Sequence, residues 1–89
     1  MKKEFKPKTI TQLKRAQGML KKVISMVEED KYCIDLLQQS LAVIGLMKGA
    51  NKMILENHLN ACFKTGMKSA DSKRQQELIQ ELLHVMNKA

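Results

Sequence analysis

From Lys31 to Lys64 the chain runs without a proline or a polar turn cluster, and its apolar residues return at helical spacing. Ile34, Leu37, Leu41, Ile44, Met47, Ile54, Leu55, Leu59 and Phe63 supply the stripe. Between Leu41 and Met47 the segment is apolar nearly all round, with only Gly45 interrupting. A helix apolar on several faces packs against several neighbours. One companion helix cannot cover it, so the segment implies self-association. A break at Gly45 or Gly49 would instead fold it back within one chain. No polar turn accompanies either glycine, however, and the apolar pattern resumes beyond both.

The flanking segments are helical too. Residues 1–8 read as a flexible, basic tail that contains Pro7. A first helix is expected from Thr9 or Thr11, either of which is a candidate cap. Ile10, Leu13, Leu20, Val23, Ile24 and Val27 recur along it, with Ala16 between. The acidic cluster Glu28, Glu29 and Asp30 suits a helix N-terminus better than a C-terminus. A tight turn is therefore expected at about Glu29 to Tyr32, with Asp30 as candidate cap of the second helix. A loop follows from Thr65 to Ala70, and Asp71 or Ser72 caps a third helix carrying Leu78, Ile79, Leu82, Leu83 and Met86. The composition agrees: 44% hydrophobic, only 3% aromatic, one proline. A β-sandwich would need β-branched and aromatic residues with frequent turn signals. The expectation is an all-α single domain over residues 1–89, with three helices per chain. Two hairpins pairing antiparallel would make a four-helix-bundle dimer with the third helix appended.

Charge points to a partner. The net charge is +7, and eight of the 16 Lys and Arg lie in the first 22 residues, opposed there only by Glu4. Such clustering favours a polyanion, nucleic acid before membrane. No secretory leader or transmembrane run is legible, which implies a cytoplasmic protein with reduced thiols. An enzyme is not expected, because no Gly-rich phosphate loop, nucleophile–base pair or paired-carboxylate site is present. His84, between Leu83 and Val85, reads as a structural residue.

His58 and Cys62 are four residues apart, so on a helix they share a face. Alone the pair is ordinary, since such residues are usually just packed. Cys33 changes its meaning. It stands 25 positions before His58 and 29 before Cys62. At ~100° per residue both offsets fall about 20° from whole turns, so all three lie on one face. Yet 25 residues of helix span roughly 38 Å. One continuous helix cannot bring Cys33 to the ion held by His58 and Cys62, whereas two antiparallel copies can, with two shared sites in a two-fold dimer. Two thiolates and an imidazole are a soft set. Three ligands suit trigonal Cu(I) better than Zn(II), which usually takes four and would here need a water or an added carboxylate.

These residues carry a resemblance. The chain is similar to the copper-sensitive operon repressor family, which is related to nickel/cobalt and formaldehyde sensors. Its signature is a Cys near the start of helix 2 and His-x-x-x-Cys near its end, here Tyr32-Cys33 and His58-Leu59-Asn60-Ala61-Cys62. The likeness runs from about Ile10 to Met86. It implies a homodimer of antiparallel hairpins, usually paired again into a homotetramer. Cu(I) would be held by Cys33 of one subunit and by His58 and Cys62 of the other. It further implies that Tyr32 and Glu77 support the ring of His58, as imidazole ligands generally require. Metal-free members bind operator DNA through basic residues of helices 1 and 2 and release it when Cu(I) binds. The basic residues available here are Lys8, Lys14, Arg15, Lys48 and Lys52. Three positions depart from the pattern: Gln12 stands where Arg is usual, Met19 where Gln is usual, and Gly49 at a basic position.

Two other functions fit parts of this reading. The departures at Gln12, Met19 and Gly49 suit a Cu(I) buffer or chaperone of the same fold that no longer binds DNA. The two thiols suit a thiol or persulfide sensor in which Cys33 and Cys62 of different subunits join, although His58 is not needed for that role.

Overall fold

The computed structural model describes residues 1–68 and 71–88, apart from the side chain of Cys62. Its elements are α1 (Lys6–Glu28), α2 (Cys33–His58), a π-helical turn (Leu59–Phe63), a short α3 (Lys64–Met67) and α4 (Ser72–Met86). Every regular element among the described residues is helical.

Helix α1 starts earlier than Thr9 or Thr11, taking Pro7 and Lys8 into its first turn. Proline fits there because its missing N–H is one that the first turn leaves unpaired anyway. Neither threonine caps. The Thr9 hydroxyl donates to the Phe5 carbonyl at 2.6 Å and the Thr11 hydroxyl to the Pro7 carbonyl at 3.0 Å, each one turn back along the helix. Phe5 is buried, and the Lys8 ammonium sits 4.6 Å above its ring centre.

Asp30 serves the end of α1 and not the start of α2. Its φ is 55°, in the left-handed region. The Lys31 N–H donates to Met26 and the Asp30 N–H to Val27. This pair of bonds, with a left-handed residue just past the helix, is the Schellman arrangement, and it satisfies carbonyls that the helix end would otherwise leave open. Tyr32 then accepts from the Leu36 N–H, and α2 begins at Cys33.

Helix α2 continues through Gly45 and Gly49 without a break. The chain divides into two compact units, Met1–Leu55 and Glu56–Ala89. In the first, α1 and α2 run as a hairpin tied by the Gln12 side chain, whose amide donates to the Leu46 carbonyl at 3.1 Å. Ala16 and Ala50 are buried, whereas much of the stripe identified from the sequence stays exposed: Leu20, Ile24, Leu37, Leu41 and Ile44 are all at the surface. In the second unit the helical path runs on to Met67, beyond the expected start of the loop at Thr65. The last part of that loop, residues 69 and 70, lies outside the described residues. Asp71 caps α4, its carboxylate accepting from the Lys73 N–H at 3.0 Å. Leu78 is buried and packs over Gly66, where a Cβ would collide with it. The Gln75 amide donates to the Met67 carbonyl at 3.0 Å.

Candidate metal and nucleic-acid sites

Cys33 and His58 are the first and last residues of the same 26-residue helix. Cys33 is a free, exposed thiol. Tyr32, just before it, is also exposed. His58 is half-buried, with its ring tilted against Phe63 at 6.0 Å between centres. In the sequence Phe63 stands out only as part of an apolar stripe. Its place beside the imidazole depends on the π-turn that joins them. Such turns are rare and recur at functional positions in helices. The backbone of Cys62 lies within this turn, while its side chain lies outside what the structure describes. Among the described residues, no three His, Cys, Asp or Glu side chains gather closely enough to hold an ion. Glu77 faces Arg74, with its carboxylate 3.5 Å from the guanidinium. Both are well exposed, so this pair contributes little to stability. His84 is exposed in the last turn of α4.

The basic candidates are all on the surface. Lys8, Lys14 and Arg15 lie along α1, and Lys48 and Lys52 along α2. Arg15 donates to the side-chain oxygen of Gln12 at 3.4 Å. The two departures at expected basic positions, Gln12 and Gly49, meet one another: a Cβ at residue 49 would lie 2.6 Å from the Gln12 amide nitrogen. Sequence alone carries no signal for this contact, because it joins residues 37 positions apart on different helices.

An all-helical chain with a thiol and an imidazole at the two ends of one long helix, and a basic face on its hairpin, belongs to the metal-sensitive transcriptional repressors, whose family pattern matches residues 5–88. Within that family it is similar to the copper-sensing transcriptional repressor CsoR of Bacillus subtilis, at 37% identity over 93% of this chain and 79% of that protein. The CsoR of Mycobacterium ulcerans is 38% identical over 83% of this chain, and the match spans 61% of its length. Among solved structures, the copper-sensing repressor CsoR with Cu(I) from Geobacillus thermodenitrificans superposes with a TM-score of 0.84, covering 99% of this chain and 88% of that one at 28% identity. No helix among the described residues is long and apolar enough to cross a membrane.

Proposed function

We propose that this chain is a Cu(I)-responsive transcriptional repressor of the cytoplasm, binding operator DNA when metal-free and releasing it when loaded. The observation that supports it best is the position of Cys33 and His58 at opposite ends of an unbroken α2. A site that uses both is completed by a second, antiparallel copy. Cys33 of one subunit and His58 and Cys62 of another would hold the ion. The soft, three-membered donor set fits Cu(I) better than a four-coordinate ion. Tyr32 and Glu77 are the proposed supports of the His58 ring. Residues 1–89 act as a single domain, in a homodimer or a pair of homodimers. The exposed apolar residues of α1 and α2 supply the surface for that association.

Lys8, Lys14, Arg15, Lys48 and Lys52 are the proposed phosphate contacts. Release follows from linkage: a ligand that binds the DNA-free assembly more tightly than the DNA-bound one lowers DNA affinity by the same factor. Anaerobic titration of Cu(I) into the protein, while following its binding to its own upstream DNA, tests both halves. Copper-released binding is expected, and Cys33→Ala should lose both tight Cu(I) binding and release. A metal-free protein that binds no segment of that DNA at low salt would rule out repression. The uncharged Gln12 and Gly49 favour one other reading, a Cu(I) buffer of the same fold; tight Cu(I) binding with no effect on DNA would support it.

A further inference from the structure

Arg15 is the one guanidinium among the proposed phosphate contacts, and it is held by a neighbour. The Gln12 side chain uses both ends. Its amide N–H donates to the Leu46 carbonyl on α2 at 3.1 Å. Its oxygen accepts from Arg15 Nη1 at 3.4 Å. The space for this bridge exists because residue 49 is glycine, since a Cβ there would sit 2.6 Å from the Gln12 nitrogen and 3.5 Å from its amide carbon. A guanidinium has five N–H donors in a rigid fork, so one can serve Gln12 while others remain for a phosphate.

We infer that Gln12, seated on the Leu46 carbonyl over Gly49, is a positioning residue that aims Arg15 at the DNA backbone. The inference rests on the DNA-binding reading above and deepens it. It assigns a joint role to two residues that look like losses from a basic face. The pair removes two charges from that face but fixes the direction of a third, and ordering a long side chain in advance lowers the entropy cost of each contact it makes.

Gly49→Ala is a clean probe. It changes no charge, replaces glycine by the better helix former, and obstructs only the far end of a flexible side chain. The readout is the slope of log affinity for the upstream DNA against log salt, whose magnitude falls by about 0.9 for each phosphate that the protein ceases to neutralise. Arg15→Ala should reduce the slope by about that much. Gly49→Ala and Gln12→Leu should each reduce it by the same amount with no charge removed, and DNA affinity should fall about tenfold at moderate salt, as for one charge-assisted hydrogen bond. Combined with Arg15→Ala, neither should reduce it further. A cooperative unfolding transition close to that of the wild type, together with unchanged Cu(I) affinity, would separate this from loss of fold, and Gln12→Leu carries the test if Gly49→Ala disturbs α2. A full wild-type slope in both variants, or a further reduction in the Arg15→Ala background, overturns the positioning role while leaving repression intact. A wild-type protein that binds no upstream DNA overturns both.

Discussion

Asp71 caps the first turn of α4, its carboxylate accepting from the Lys73 N–H. Removing such a cap leaves a backbone donor without its side-chain partner and typically costs about 1 kcal/mol. Asp71→Ala should therefore lower unfolding free energy by about that amount in chemical denaturation, with Asp71→Ser losing much less. The sequence offered Asp71 beside Ser72, because a capping residue followed by an apolar periodic run is a local signal, and the structure selects Asp71. It misjudged Asp30 for a related reason. Asp is favoured both at helix starts and, less often, in the left-handed conformation, and only the path of the chain decides between them. Thr9 and Thr11 show the same ambiguity: their hydroxyls turn inward to the carbonyls one turn earlier and cap nothing. Cys33 and His58 were legible as candidates from spacing alone. The Phe63 ring against His58, and the Gln12 bridge, were not, because each depends on a backbone path or an interhelical contact that no local pattern encodes.

The glycines divide the helices into places with room and places without. At Gly18, in the middle of α1, an added Cβ meets nothing within 4 Å. Gly18→Ala should raise stability by about 1 kcal/mol through helix propensity. At Gly66 the added carbon runs into Leu78, a buried residue of α4. Gly66→Ala should lower stability by roughly 1–3 kcal/mol, the usual range for overpacking. Thermal unfolding followed by circular dichroism checks both signs, and two substitutions of the same chemistry should move the midpoint in opposite directions. The long α2 was readable from its unbroken apolar pattern. The π-turn from Leu59 to Phe63 was not, because Leu, Asn, Ala, Cys and Phe in that order have no composition that distinguishes one extra residue in a turn from an ordinary helix.

The hairpin of residues 1–55 buries little. Among the described residues of the whole chain no large side chain is fully buried, and Leu41 remains 57% exposed. The sequence was right that α2 has more apolar surface than one companion can cover, yet it could not say which face the chain itself would use. Ala16, Ala50 and the Gln12 contact with Leu46 mark the inner face, while Leu20, Ile24, Leu37, Leu41 and Ile44 face outward. Folding that depends on a second copy obeys mass action, so its midpoint shifts with concentration. Dilution by about a hundredfold should lower the melting temperature measurably, and a midpoint independent of concentration would exclude obligate pairing. The placement of Cys33 and His58 at the two ends of α2 carries a genetic consequence. If each site draws Cys33 from one subunit and His58 from another, Cys33→Ala and His58→Ala chains are each inactive alone, but a hybrid of the two contains one intact site beside one doubly damaged site. Two dead alleles expressed together should complement, restoring about a quarter of the copper sites under random pairing in two-fold dimers. Two defects within a single-chain site would never do so.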